Sequence, residues 1–374
     1  MKSQTHKEFF KKKLLAWNQN ENSREMPWKG EKDPYKIWLS EIILQQTRVD
    51  QGLAYFQRFV SAFPTIAHLA EAPETSVFKM WEGLGYYSRC KNLIATAKFV
   101  HAQLSGKFPA TYDQILLLKG VGPYTAAAIA SFAFNLPHAV VDGNVFRVLA
   151  RYFGIDTPID STLGKKLVTD LAQELVDKKF PGIYNQAIMD FGAVICKPQI
   201  PLCPVCVLKE NCLAFQENLV AQLPVKEKSI VRRTRWFYYF IIETGAQVQV
   251  RKRVNGDIWE NLYEFVLHES PSPLDDHQLI EHLDTILGDV DFELVSVSGG
   301  HKQLLTHQTI KGQFIRVKTN VLPHLPNHIF VSPETLQTLP FPKFISNFLK
   351  DKNVSLNLFN TNRNQQSTDL ITTT

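Results

Sequence analysis

Four cysteines, Cys196, Cys203, Cys206 and Cys212, fall within 17 residues at the spacing C-x6-C-x2-C-x5-C, while Cys90 stands alone. In a chain whose first residues contain no apolar signal segment, thiols gathered this closely point to a metal centre before disulfides. Four thiolates are the ligand set of a 4Fe-4S cluster and equally of a structural zinc ion, and the spacing leaves both open. Lys197 and Lys209 add positive charge to the same loop. Cys90, inside a helical pattern, reads as a small core residue.

Two carboxylates form the second constellation. If residues 37–48 are helical, Glu41 lies on the line Ile37, Glu41, Leu44, so an acid interrupts an apolar stripe and desolvation raises its pKa. A buried glutamate satisfied by a nearby helix end is the structural alternative. Asp142 follows the apolar run HAVV and precedes the helical pattern NVFRVLARYF, a natural N-cap position. Capping alone would explain an aspartate there, yet N–H bonds and the helix dipole also keep such a carboxylate ionised. Glu41 pushed up and Asp142 pushed down would divide acid and anion roles between two carboxylates.

Residues 112–134, YDQILLLKGVGPYTAAAIASFAF, read as a helix, the turn Lys119-Gly120-Val121-Gly122-Pro123, and a second helix rich in small residues. Glycine permits the turn, Pro123 suits the first helical position, and the free N–H groups of the second helix then face outward, where a phosphate fits. An ordinary helical hairpin whose glycines serve only the turn is the alternative.

The elements that must position these groups fall into two blocks. From residue 5 to 218, stretches such as PYKIWLSEIILQQ, NLIATAKFVHAQL and KKLVTDLAQELV carry apolar residues at three- and four-residue steps, and the block reads as all-α. A charged segment at 223–234 reads as a linker. Beyond it WFYYFII, AQVQVRKR, YEFVL, DFELVSVS and GQFIRVKT read as strands of an α+β domain over 235–350. The tail from about 351, rich in Asn, Gln, Ser and Thr, is expected to be disordered. At 374 residues and 44% apolar content the chain can fill two cores, and its +5 net charge suits a polyanion only mildly. With no run of about 18 apolar residues, it is expected to be unanchored and cytoplasmic, with no membrane partner.

GVGPYTAAAI, together with WLSEIILQQTRV, MWEGLGYYSRCKNL, VDGNVFRVLAR and the cysteine cluster, resembles the adenine DNA glycosylase (MutY) branch of the endonuclease III-like, helix-hairpin-helix glycosylases. The resemblance covers nearly all of residues 22–215. It implies a mainly α helix-hairpin-helix domain (1–222) with a 4Fe-4S loop, followed by an α+β Nudix-like domain. It also implies a bacterial, monomeric enzyme that binds double-stranded DNA and excises adenine opposite 8-oxoguanine or guanine.

By the same resemblance Glu41 is the general acid and Asp142 the group facing the sugar cation, with Asn144 and Tyr124 beside it. Tyr124 stands where the bifunctional relatives carry a Schiff-base lysine, which implies a monofunctional enzyme. Arg24, Trp28 and Gln186 match the adenine pocket, and Gln46 and Thr47 match positions near the opposite strand. Leu84, Gly85 and Tyr86 form a loop with Tyr86 as intercalator and Leu84 against the opposite base. Lys119, Gly120, Val121 and Gly122 would meet the DNA backbone. Leu305-Thr306-His307 falls where the family writes Phe-Ser-His, a loop that senses 8-oxoguanine; here Leu305 replaces the aromatic residue. The Nudix hydrolase pattern REVxEExG is missing from the sequence, so nucleotide hydrolysis is not expected.

Overall fold

The computed structural model describes residues 2–351 apart from 48, 228–230 and 255. The expected disordered tail lies almost wholly outside the described residues. In chain order the first helices are α1 (Lys2–Asn20), α2 (Pro34–Leu44), α3 (Val49–Ala62), α4 (Ile66–Glu71), α5 (Glu74–Trp81) and α6 (Tyr87–Gln103). Then come α7 (Tyr112–Leu116), α8 (Pro123–Phe134), α9 (Gly143–Phe153), α10 (Thr162–Leu175), α11 (Pro181–Val194) and α12 (Leu213–Gln216). The C-terminal part carries β1 (Arg233–Thr244), β2 (Gln247–Lys252), β3 (Tyr263–Glu264), β4 (Val266–Ser270), α13 (Asp276–Leu287) and β5 (Phe292–Val297). It finishes with β6 (His301–Leu304), β7 (Gln308–Thr319), β8 (His328–Val331), α14 (Pro333–Thr338) and α15 (Lys343–Leu349).

The chain divides into two compact units, residues 1–71 with 91–229 and residues 72–90 with 230–374. The continuous 1–222 domain expected from sequence is thus interrupted by a segment that folds with the C-terminal part. The expected linker also differs at both ends. Leu223 is buried, the Leu223 and Val225 carbonyls accept from Arg151 and Ile159, and β1 already starts at Arg233.

In the helical unit, local signals set the helix ends. Asp33 accepts from the Tyr35 N–H at the start of α2, Thr111 caps α7, Ser161 caps α10, and Gly154 closes α9 in the left-handed region. One core joins α1 (Phe10, Leu14, Trp17), α9 (Val148, Leu149, Tyr152), α10 (Val168, Leu175) and α11 (Tyr184, Ile188, Phe191). Burying each such side chain is worth roughly 1.5–3 kcal/mol, which decides how these helices pack. The half-buried Cys196, Cys206 and Cys212 rest against the same core. Alanines on α8 keep that helix slim where it packs on α2, and Gln45 Nε2 donates to Thr125 Oγ1 across the junction at 3.1 Å.

The second unit is built on a mixed eight-stranded sheet of order β3-β2-β1-β7-β5, with β4 on β1, β6 on β7 and β8 on β2. Among the described residues only β1 and β7 pair in parallel, in register from Arg233↔Gln308 to Thr244↔Thr319. The expected strands are present, YEFVL breaking into β3 and β4 around Phe265, while β6 and β8 carry no period-two signal in the sequence. WFYYFII shows no alternation because β1 is covered on both faces. Tyr238, Phe240 and Ile242 meet Leu279, Leu283 and Leu287 of α13, and Tyr239 and Phe314 meet Phe344 and Phe348 around α15.

At Gly312 on β7 an added Cβ would lie 1.8 Å from the Phe237 carbonyl oxygen of β1, so any side chain there must push the two central strands apart. Gly312→Ala is expected to destabilise the second unit by about 1–3 kcal/mol or more. Urea unfolding followed by circular dichroism in the strand region checks it, and an unchanged midpoint contradicts the packing described.

Candidate active site

Helix α2 carries Glu41 into a cavity of about 460 Å³ in the helical unit. Asp33 caps the start of this helix, away from the point where the chain must turn. At the other end α2 is broken by Gln45, with ψ 119°, and by Gln46, with φ +53°, which redirects the chain so that Thr47 also lines the cavity. Tyr124 on α8, Asp142 and Asn144 at the start of α9, Gln186 on α11, and Arg24 and Trp28 from the segment before α2 line the same cavity. The structure therefore gathers Glu41, Tyr124, Asp142, Asn144, Arg24, Trp28, Thr47 and Gln186 in one place. Gln46 is not among the lining residues.

Glu41 is buried, and that desolvation pushes its carboxyl up to about 7. The hydrogen bond from Tyr124 works against the rise, and the negative charge of Asp142 adds to it. Asp142 behaves differently from the expectation drawn from sequence. It does cap α9, its Oδ1 accepting from the Val145 N–H at 2.8 Å and its Oδ2 from Asn144 Nδ2 at 2.7 Å. Its pKa nonetheless lies above the ordinary value, because burial outweighs those hydrogen bonds and the nearby Arg147. The two acids still differ in kind: several donors favour the Asp142 anion, whereas Glu41 has the Tyr124 hydroxyl.

Asn144 is itself held. Its Oδ1 accepts from Arg147 Nη2 at 2.9 Å, and the same guanidinium donates to the carbonyls of Gly192 (2.7 Å) and Cys196 (2.7 Å). Gly192 is required there, since an added Cβ would sit 2.6 Å from the Asn144 Cβ. One turn later Arg151 donates to the carbonyls of Lys197 and Pro198 and to Cys196 Sγ at 3.4 Å. A buried guanidinium directed at a cysteine sulfur fits a sulfur that carries negative charge. The four cysteines form no disulfide and act on one another electrostatically, and two short 3-10 turns, Cys203–Val205 and Lys209–Asn211, shape the loop that carries them. Among the described residues no three His, Cys, Asp or Glu side chains close to the spacing of ligands on a single ion. Cys90 is fully buried, as its position in a helix implied.

In the hairpin Gly120 has φ +78° and lies against Asn92, where a Cβ would come within 2.7 Å. Gly122 starts α8 without a side-chain cap, and Lys119 is exposed. Val121 departs from expectation, because its side chain is buried and its N–H is already bonded to the Leu118 carbonyl.

The remaining expected residues lie in the other unit. Gly83 and Gly85 have φ +92° and +79°, Trp81 Nε1 donates to the Gly85 carbonyl, and Tyr86 is exposed with φ +49°. A non-glycine residue in this region is costly and marks a functional loop often enough to be informative. The Tyr86 hydroxyl meets Thr306 Oγ1 at 2.6 Å, so the wedge loop and the β6–β7 turn are joined. Leu84 is buried, which removes it from the exposed tip. Leu305 is tied by its backbone to Gln308 and Arg232, and His307 is exposed.

Sequence reasoning missed Asp190 and Lys29. Asp190 is fully buried and bonds Arg24, Lys29, Asn22 and Gln186. The signal was present, since an acid inside the apolar helix YNQAIMDFGAV is the same feature that singled out Glu41.

The raised pKa of Glu41 has a stability consequence. Below the unfolded value of 4.5 both states are protonated and the residue costs nothing; the cost grows as pH rises toward about 7 and is constant above it. Glu41→Gln is therefore expected to be more stable than the parent above pH 7, by on the order of 3 kcal/mol. The gain should vanish below pH 4.5. Thermal unfolding at pH 4.5 and pH 8 checks it, and a pH-independent difference would contradict the burial argument.

Residues 39–178 match the model of the HhH-GPD superfamily base excision DNA repair protein. The chain is 36% identical over 258 residues to the adenine DNA glycosylase of Buchnera aphidicola subsp. Baizongia pistaciae, covering 68% of this chain and 73% of that one. It is 42% identical over 223 residues to the adenine DNA glycosylase of Homo sapiens, covering 57% of this chain and 41% of that one. Among solved structures it resembles a thermostable thymine-DNA glycosylase, with TM-score 0.54 and 28% identity, covering 58% of this chain and 100% of that one. A non-covalent endonuclease III–DNA complex shares the fold at TM-score 0.50 and 20% identity, over 59% of this chain and 98% of that one. With an apolar-buried acid, a capped aspartate and a helical hairpin on the same scaffold as these relatives, the chain belongs to the adenine DNA glycosylase family.

Proposed function

We propose that this protein is a monofunctional DNA glycosylase of base excision repair, which flips adenine out of a duplex and hydrolyses its N-glycosidic bond where adenine lies opposite 8-oxoguanine or guanine. The observation that carries the reading is the pairing of Glu41, raised to about 7, with the capped Asp142 across one cavity. Glu41 donates its proton to the departing base, so that the leaving group is neutral. Asp142 faces the positive charge that develops on the sugar, and Asn144 holds that carboxylate in place. The Glu41 carboxylate left behind then takes a proton from the attacking water. Tyr124 donates to Glu41 and cannot form an imine, which favours hydrolysis without strand cutting.

Unstacking a base costs a few kcal/mol, and the exposed Tyr86 on its strained loop is the side chain suited to fill the gap. The turn at Lys119, Gly120 and Gly122 presents backbone and charge to phosphates. Cys196, Cys203, Cys206 and Cys212 would hold a 4Fe-4S cluster; the Arg151 contact to the Cys196 sulfur supports a thiolate-bound group, and four free cysteines are the ligand set of such a cluster. When bound, such a cluster would brace the loop that carries Lys197 and Lys209. The mixed sheet of the second unit is read as Nudix-like and as the holder of the lesion-sensing turn, without hydrolase chemistry. Among the described residues no helix is long and apolar enough to cross a membrane, and a monomer acting on cytoplasmic DNA is the expected setting.

Three experiments test the reading. Under single-turnover conditions adenine excision should fall as pH rises through about 7, where Glu41 loses its proton. Glu41→Gln should bind the duplex but lose that limb and a factor of about 10²–10⁴ in rate; excision within a few-fold of the parent would place the acid elsewhere. The purified protein should be brown, with iron and sulfide in equal amounts, and Cys203→Ser should lose both; one stoichiometric zinc would overturn the cluster. Thr306→Ala should lower the preference for adenine opposite 8-oxoguanine over adenine opposite guanine by a factor worth about 1–3 kcal/mol, and an unchanged ratio would remove the Thr306 hydroxyl from recognition.

A further inference from the structure

Asp190 lies on α11 one turn after Gln186 and is wholly buried. Its Oδ1 accepts from Arg24 Nη1 at 2.8 Å and Gln186 Nε2 at 3.0 Å. Its Oδ2 accepts from Asn22 Nδ2 at 2.9 Å and Lys29 Nζ at 3.1 Å. A carboxylate offers about four lone-pair sites, and here all of them are filled. Arg24, Lys29 and Gln186 line the cavity that also holds Glu41 and Asp142, whereas Asp190 stands behind them.

The consequence falls on Gln186. Its amide has a donor end and an acceptor end, and a carboxylate can only accept, so one N–H is given to Asp190 and the NH2 end is held toward it. The end left for the cavity is the carbonyl Oε1. The two nearby cations, whose N–H groups would welcome a carbonyl, are drawn to Asp190 as well.

We infer that Asp190 is a positioning residue that fixes Gln186 as a hydrogen-bond acceptor and so selects a purine carrying an exocyclic amine at C6 over one carrying a carbonyl there. The inference rests on reading the cavity as the pocket of the flipped base. An amine donates to Oε1; a carbonyl would face another oxygen and leave both unpaired, which is the costly arrangement.

The test is the ratio of single-turnover excision rates for adenine and hypoxanthine, each opposite 8-oxoguanine. Asp190→Asn lets residue 190 donate, so the Gln186 amide can turn its NH2 to the cavity, and the ratio should fall about tenfold. Combining Asp190→Asn with Gln186→Glu again leaves an accepting oxygen facing the cavity and should restore most of the ratio, a rescue that a purely structural role for Asp190 does not give. Asp190→Asn protein that excises adenine at the parent ratio overturns the inference. So does a folded double variant whose ratio stays as low as that of the single one. Should Asp190→Asn fail to fold, Gln186→Met removes the acceptor without touching Asp190, and an unchanged ratio there overturns it equally. If the parent protein excises no adenine at all, the reading of the pocket fails instead.

Discussion

Helix α9 starts at the Asp142 cap and, within three turns, places Arg147 and Arg151 where water hardly reaches them. An unpaired buried cation would cost several kcal/mol, and these two are met mainly by peptide carbonyls, those of Gly143, Gly192, Cys196, Lys197, Pro198 and Leu223. Such an arrangement works only when the end of α11, the start of the cysteine loop and the segment at 223 are all folded around it. The aspartate at the head of α9 and the loop beyond its other end are therefore not independent parts. Asn144 makes the link explicit, bonding Asp142 with one end of its amide and Arg147 with the other.

Against this well-satisfied positive charge the cavity sets a poorly solvated acid. Glu41 belongs to a helix whose neighbours Ile37, Trp38, Ile42 and Ile43 are buried, so its environment is that of a core residue. Asp142 shares the desolvation but not the isolation. Difference in hydrogen bonding, more than difference in depth, is what separates the two carboxyl groups.

Much of this was legible before the fold. Glu41 showed itself as an acid on an apolar stripe, Asp142 as a cap between an apolar run and a helix, and the cysteines by spacing alone. What escaped was set by distance in the chain. The rise in the Asp142 pKa depends on burial by other elements, which its flanking residues do not encode. Asp190 gains its meaning from Asn22, Arg24 and Lys29, more than 160 positions earlier. Strands β6 and β8 are only four residues long and owe their form to β7 and β2. The assignment of 72–90 to the second unit, and with it the bond between Tyr86 and Thr306, had no local signature at all.

The burial of Glu41 also bears on how this chain changes over generations. Proteins sit only slightly above the stability they need, and most substitutions erode that margin. At position 41 the usual direction is reversed: near neutral pH the charged glutamate is the destabilising choice, and neutral side chains of similar shape relieve it. Selection for folding alone would drive this position away from glutamate. In a lineage released from the need for repair, replacement here would be rewarded by a sturdier fold, so the acid would persist only while something other than folding holds it there.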